Sequence, residues 1–178
     1  MRPQLRERLA LGLILLAGAA LRLYRLGADS LWYDETVSTF LAGSRLAELL
    51  RHTAGDIHPP GYYLLLHAWT RLAGSTGFAA AFLSLFFGVL LVALAYRLAA
   101  RTFGPAAGLL AAFLVTISPY NLWYSQEVRM YTLGAVLGMG VLGAVLSLLA
   151  RPVRRDKPWG RLAVYALCGA LGLWACSS

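Results

Sequence analysis

The chain has 178 residues, of which 59% are hydrophobic and only 13% charged, and its formal net charge is +8. Soluble proteins carry roughly 25% charged residues, so this composition excludes an ordinary soluble domain and indicates a membrane protein. The positive charge does not indicate nucleic-acid binding, because the basic residues cluster at the ends of apolar runs, where membrane orientation signals occur. We therefore expect membrane lipids as partners and no nucleic acid.

The N-terminal segment predicts an uncleaved membrane helix. Arg2, Arg6 and Arg8 precede the apolar run 9–21 as in a secretory signal, but RLYRLGADSLWYDE follows where a small-residue cleavage site would be required. A spanning helix needs about 20 mostly apolar residues. We therefore expect four spans and the start of a fifth, at about 6–23, 78–100, 105–117 with its flanks, 131–150 and from Leu162 onward.

The stretch 60–73, PGYYLLLHAWTRLA, is short and carries His67 and Arg71. The chain has three basic clusters, at the N-terminus, at 97–101 and at 151–161. If the stretch 60–73 lies at the interface, all three fall on the cytoplasmic side, as the positive-inside rule requires. If it spans, the clusters at 97–101 and 151–161 fall outside. We therefore expect an interfacial helix here, a multi-pass protein of the cell (plasma or inner) membrane, and the loops 27–58 and 118–129 together on the outer face.

Six of the eight carboxylates lie in these two outer loops. Within loop 27–58, apolar residues near helical spacing predict one amphipathic helix on the membrane surface, at about 35–51. Acids beside a bilayer are costly and usually face water, a cavity or a partner charge. Their convergence with a histidine and an arginine predicts an active site at the outer surface. The six acids are Asp29, Asp34, Glu35, Glu48, Asp56 and Glu127.

LWYDE holds the closest acid pair. Asp34 is either the N-cap of the following helix or a general base, with Glu35 as its support or as a cation ligand. Adjacent carboxylates in low dielectric repel, which raises one pKa toward useful values. Trp32 and Tyr33 are either a platform for a sugar or lipid or interfacial anchors. Two carboxylates are a thin ligand set for a divalent cation, so metal dependence and cofactors stay open.

Two further motifs supply the predicted substrate-binding residues. In DIHPPGYY, two prolines fix a histidine that can bind an anion or accept a proton, the alternative being a rigid turn with a solvated side chain. In SPYNLWYSQEVRMY we expect a span to end at Pro119 and the polar residues to occupy the first turn of the next helix. There the helix dipole and the arginine fork favour phosphate, the alternative being an internal pairing of Glu127 with Arg129. The predicted residues are His58, Gln126, Glu127, Arg129 and Tyr131.

Four motifs occur in order: LWYDE, DIHPPGYYLLLHAWTRLAG, FGPAAGLLAA and SPYNLWYSQEVRMYTL. Over most of 31–149 they resemble the N-terminal part of bacterial dolichyl-phosphate-mannose–protein mannosyltransferase-like enzymes, glycosyltransferase family 39 and its relatives of GT-C fold. The resemblance implies an all-α, polytopic transmembrane bundle and one membrane domain over 1–178, truncated from a longer enzyme. The implied activity is that of a hexosyl- or pentosyltransferase, moving a sugar from a polyprenyl-phosphate carrier to an unidentified acceptor on the outer face.

By this resemblance Asp34 matches the catalytic acid position, and His58 with the 126–129 group matches positions near the donor phosphate or acceptor. Val37 and Ser38 stand where some relatives carry an arginine and a tyrosine, which leaves the sugar open. Two rival functions remain. A lipid-linked sugar transporter or flippase would show charges inside its spans, and a non-catalytic assembly protein would not account for acids, histidine and arginine on one side.

Overall fold

The computed structural model describes residues 3–28, 30–55, 60–149 and 159–176. Over these ranges the chain forms nine α-helices and no strand, which confirms the all-α prediction there. The helices are α1 (Pro3–Leu23), α2 (Tyr33–Gly43), α3 (Leu46–Ala54), α4 (Gly61–Ala73), α5 (Gly77–Phe103), α6 (Pro105–Ile117), α7 (Pro119–Gln126), α8 (Tyr131–Leu149) and α9 (Trp159–Cys176).

Among the described residues, one helix, α5, is long and apolar enough to cross a membrane by length and composition. Helices α6 and α7, which meet at a bend of 59°, would form a second span only if counted together. Four complete spans are therefore not confirmed within the part of the chain that the structure describes. The physical reason is that α1 carries charged residues at both ends, while α6 is short and the apolar parts of α8 and α9 cover only Tyr131–Ser147 and Ala163–Gly172.

Helix α5 is the centre of the fold and packs against α1, α4, α6, α7 and α8. Its first turn is capped by Thr76, whose hydroxyl accepts a hydrogen bond from the Ala79 N–H. It ends at Phe103, Gly104 follows as the C-cap with a φ of 92°, and Pro105 then begins α6. A Cβ at Gly108 would lie 2.7 Å from the Ala100 Cβ, so glycine lets the two helices pack closely at this turn.

The prediction of a single amphipathic helix at 35–51 is wrong, because this stretch forms two helices, α2 and α3, with a break between them. Ser44 and Arg45 have extended backbones, with ψ values of 169° and 144°. The Ser44 hydroxyl donates to the Phe40 carbonyl and so satisfies the end of α2 locally. In α3, Leu49 is fully buried while Leu46 and Leu50 remain about half exposed, so the helix keeps its amphipathic character.

The stretch 60–73 forms a helix, α4, which packs between α2 and α5. His67, expected to be an interfacial group, lies with Nδ1 2.8 Å from the Ala42 carbonyl oxygen at the end of α2. The Trp69 indole donates to the Ala79 carbonyl at 2.7 Å and stacks on Phe82. These contacts hold α2 against the start of α5, where the candidate site lies.

Candidate active site

The connection between α7 and α8 departs from the predicted first turn of a helix. Gln126 is the last residue of α7, residues 127–130 are not helical, and α8 begins at Tyr131. The prediction was wrong because backbone groups of this connection find partners on other elements. The Val128 N–H donates to Glu35 Oε1 at 2.8 Å, and the Arg129 carbonyl accepts from the Ser84 hydroxyl at 3.2 Å.

Glu35 connects the two segments that form the predicted site. Its side chain is buried, and while Oε1 accepts from Val128, Oε2 accepts from the Trp32 N–H at 2.9 Å. The N-cap of α2 is thus Trp32 and the capping side chain is Glu35, so the interpretation of Asp34 as the N-cap was wrong. Hydrogen bonds from backbone N–H groups to a carboxylate are charge-assisted and strong. Glu35 therefore fixes residues 32–35 against residues 127–129.

Asp34 faces the solvent beside a buried cation. Its side chain is 65% exposed, whereas that of Arg129 is 10% exposed, and Asp34 Oδ2 lies 3.8 Å from Arg129 Nη2. That separation is an ion pair but too long for a hydrogen bond. The Arg129 Nε is buried and has no hydrogen-bond partner, and the guanidinium lies 5.7 Å from the ring centre of Tyr131. The site thus holds a cation with an unused donor.

The electrostatics keep Arg129 charged. Burial lowers the pKa of Arg129, but a hydrogen bond with Tyr131 and nearby negative charge, including Asp34, outweigh it and raise the pKa above the ordinary value. Glu127 differs from Arg129 in that burial raises its pKa instead of lowering it. The charges of Glu35 and Asp34 add to this effect of burial on the pKa of Glu127, while a hydrogen bond from the Trp123 indole and the charge of Arg129 oppose it.

These residues surround a cleft of about 350 Å³. Of the seven residues predicted from the sequence, five line it, and three aromatic side chains complete its walls together with Tyr131. A smaller adjoining cleft of about 100 Å³ shares Trp32, Glu35 and Glu127 with it and is also lined by Gln126. The predicted residues in the larger cleft are Asp34, Glu35, Glu127, Arg129 and Tyr131, and the added aromatic residues are Trp32, Tyr33 and Tyr124.

His58, the remaining predicted site residue, lies outside the described residues, as do Asp29 and Asp56. Among the residues that the structure does describe, no group of three or more histidine, cysteine, aspartate or glutamate side chains could hold a metal ion. The divalent cation considered from the sequence thus gains no third ligand in this part of the chain.

Arg22 is a residue that the sequence reading missed. It is fully buried, and it donates to the Ser125 hydroxyl at 3.0 Å and to the carbonyl oxygens of Gly18 and Val115. The Gln126 amide in turn donates to the carbonyls of Arg22 and Tyr24. These hydrogen bonds therefore attach the last turn of α7, which immediately precedes Glu127, to the end of α1.

Little in the sequence could have revealed this role. Arg22 stands at the end of an apolar run, where an arginine ordinarily marks the membrane boundary, and its partner Ser125 is 103 residues away. The sequence likewise does not indicate the role of Gly88. A Cβ at this position would lie 2.8 Å from the Ser125 Cβ and 3.1 Å from Arg22 Nε. Only glycine leaves α7 room to approach α5 at this point.

Tyr124 was also missed. Its ring lies between those of Tyr120 and Tyr131, at centre-to-centre distances of 4.5 and 4.4 Å, which are typical of packed aromatic pairs. In SPYNLWYSQEVRMY, Tyr120 and Tyr124 are four residues apart, about one helical turn, and Tyr131 follows seven residues later. Their spacing is the signal from which an aromatic wall could have been predicted.

Comparison with known proteins gives one match. A family model described as dolichyl-phosphate-mannose-protein mannosyltransferase matches residues 57–175, whereas no curated protein and no solved structure matches the chain. The match includes residues 126–131 and begins after LWYDE, so it does not extend to Asp34 and Glu35. It covers two thirds of the sequence. The chain therefore belongs to the dolichyl-phosphate-mannose–protein mannosyltransferase family, a membrane-associated family of glycosyltransferases of the GT-C type.

Proposed function

We propose that the protein transfers a sugar from a polyprenyl-phosphate carrier to an acceptor hydroxyl at the outer face of the cell membrane. The observation that carries this proposal is the cleft in which the exposed carboxylate of Asp34 lies 3.8 Å from the buried guanidinium of Arg129. The family implies a polyprenyl-phosphate-linked sugar donor in general. The sugar and the acceptor stay open.

Arg129 is the proposed ligand of the donor phosphate. A guanidinium can hold two phosphate oxygens at once through parallel N–H groups, and Nε of Arg129 has no other partner. The phosphate gains negative charge as its bond to the sugar breaks, so the interaction strengthens along the reaction. Loss of one such preorganised donor typically costs about 10²–10³-fold in kcat. His58 is proposed as a second phosphate contact.

Asp34 is the proposed general base. As the acceptor oxygen attacks the anomeric carbon, Asp34 takes the hydroxyl proton and a new carbon–oxygen bond forms. The bond between the anomeric carbon and the phosphate oxygen breaks on the opposite side, and the lipid phosphate leaves with the electron pair. This route inverts the anomeric configuration. The 65% exposure of the Asp34 side chain leaves it accessible to an acceptor from solution.

Glu35 and Glu127 receive different roles. Glu35 is proposed to hold the backbone around Asp34 in place, because its two carboxylate oxygens accept hydrogen bonds from the N–H groups of Trp32 and Val128. Glu127 lies beside Arg129 and lines both clefts, so its charge competes with the donor phosphate for the guanidinium. The aromatic walls of the larger cleft, which include Tyr33 and Tyr124, offer apolar faces to the sugar ring.

The transporter alternative is not favoured. Helix α5, the clear span candidate, carries no charged residue from Gly77 to Tyr96, whereas a transporter places charges near the middle of its spans. An assembly protein without activity would have no need of a buried arginine with an unused donor beside an exposed carboxylate.

Substitution Asp34→Asn in the full-length protein tests the proposal. We expect kcat for transfer from a polyprenyl-phosphate sugar to fall about 10²–10⁴-fold, the usual contribution of general-base catalysis, with the donor KM nearly unchanged. Products are measured by mass spectrometry. Glu48→Gln is the matched control, since it removes one exposed negative charge from α3, outside both clefts. Undiminished turnover of the Asp34 variant would exclude this mechanism.

A further inference from the structure

A second pair of clefts lies near the other end of α5. The first has a volume of about 360 Å³ and lies between α5, α8 and α9, and it adjoins another of about 410 Å³. Both are lined by Leu98, Arg101, Gly143 and Ser147. Arg97 stands 20 residues beyond Gly77, which lines the smaller of the clefts beside Glu127. At 1.5 Å per residue this places the two regions about 30 Å apart.

The walls of these clefts combine apolar side chains with two cations. Leu94, Leu98 and Met139 contribute apolar surface, and none of the described residues that line either cleft is acidic. Arg97 and Arg101 are four residues apart, so they share one face of α5. Glu7 of the neighbouring α1 binds the Tyr96 hydroxyl and lines neither cleft. The structure thus places positive charge at the mouth of an apolar space.

Within the described ranges, neither arginine has a hydrogen-bond or ion-pair partner. Long arginine side chains lay their stems along apolar surface and keep the guanidinium at its edge. The described lining is mostly apolar, and it offers a small soluble anion no polar side chain beyond Arg97, Arg101, Thr102 and Ser147. A ligand that complements both parts has an anionic head and a hydrocarbon body.

We propose that this region binds an anionic diacyl glycerophospholipid, with its phosphate on Arg97 and Arg101 and the upper part of its acyl chains along α5 and α8. Basic pockets between membrane helices bind anionic lipid headgroups by the same combination of charge and apolar contact. The site lies at the end of α5, which is long and apolar enough to cross a membrane. It is separate from sugar transfer and does not depend on the proposed function.

Native mass spectrometry of the full-length protein in detergent tests the site. The protein is titrated with phosphatidylglycerol or with phosphatidylcholine of the same acyl chains. We expect phosphatidylglycerol to bind at least tenfold more tightly, and the double variant Arg97→Gln/Arg101→Gln to lose that preference. The matched control is Arg45→Gln/Arg51→Gln, which removes the same charge from two exposed positions, the N-cap of α3 and α3 itself, and should keep the preference.

A second variant separates the cleft from the charge. Ser147 lines both clefts, so Ser147→Leu should fill part of them and weaken lipid binding at least threefold with both arginines present. Equal affinity for the two lipids, or equal loss in the α3 control, would overturn the proposal. Full displacement of the lipid by inorganic phosphate, or a dimer that dissociates in the Arg97→Gln/Arg101→Gln variant, would also overturn it, because the occupant would then be a free anion or a second copy.

Discussion

Arg129 and Glu35 are buried charged residues of one cleft whose hydrogen bonding differs. Glu35 has a backbone donor on each oxygen, whereas the Nε of Arg129 has no partner. A buried charged group without its hydrogen bonds costs free energy, and the cost is recovered when a ligand supplies them. Arg129 is thus suited to binding an anion, and Glu35 to holding the cleft together.

Arg129→Lys should separate charge from geometry. Lysine keeps the positive charge but loses the planar fork that holds two phosphate oxygens, so we expect kcat/KM for the lipid-linked donor to fall about 10²-fold. Arg129→Gln should lose more. Steady-state kinetics of the full-length variants measures both. Arg71→Gln on α4, an exposed arginine outside the cleft, should leave kcat/KM unchanged, and an active Arg129→Gln enzyme would contradict the phosphate assignment.

Glu127→Gln should change how the protein depends on pH. The pKa of Glu127 is raised in the folded state, chiefly by burial, so the folded protein binds this proton more tightly than the unfolded chain does. The associated stability is present below the unfolded pKa and is lost as the pH rises through the folded pKa. Glutamine cannot ionise, so thermal unfolding of the variant should show a higher midpoint at pH 7 and a flatter profile above pH 4.5. A variant less stable than the wild type at pH 7 would contradict this.

At the scale of elements, α7 is positioned from two sides. Arg22 and Gln126 attach its last turn to α1, and Gly88 lets it approach α5 closely. Because residues 127–129 follow directly, the placement of α7 sets the position of Glu127 and Arg129. The sequence predicted α8 but neither α7 nor the connection, since the hydrogen bonds of the connection go to side chains 93 and 45 residues away.

Gly88→Ala should therefore impair activity from a distance. Its Cβ would lie 2.8 Å from Ser125 Cβ, and overpacking of this kind costs about 1–3 kcal/mol. We expect the variant to unfold at a lower temperature and to show a reduced kcat. Gly12→Ala is the control, because nothing lies within 4 Å of a Cβ there and alanine favours the helix by about 1 kcal/mol. If Gly88→Ala keeps its kcat once the folded fraction is taken into account, α7 does not position the site.

For the whole molecule, the sequence supplied the helical class, the family and five of the residues that line the cleft. These follow from composition and from motifs that are local in the chain. The break between α2 and α3, the capping by Glu35 and the burial of Arg22 could not be predicted, because each depends on which distant groups satisfy a backbone end or a charge. The number of spans and their orientation stay predictions based on charge distribution.

Cysteine labelling tests that orientation. In a variant without Cys168 and Cys176, single cysteines at Ser30 and Tyr120 should both react with a membrane-impermeant reagent added outside intact cells. Tyr120 is 70% exposed, whereas Ser125 of the same helix, α7, is buried against Arg22 and would be a poor probe. A cysteine at Arg101, on the predicted cytoplasmic side, should react only after the cells are opened. Labelling of the first two positions from opposite sides would refute the shared outer face.

The double hydrogen bond of Glu35 has a consequence for how this protein could accommodate different sugars. One carboxylate sets the spacing between the proposed proton acceptor and the proposed phosphate ligand by joining stretches that are 93 residues apart. Reacting groups that are held by such supporting hydrogen bonds keep their geometry. Exchanges at Tyr33 or Tyr124 can therefore reshape the room left for a hexose or a pentose while the reacting groups keep their separation.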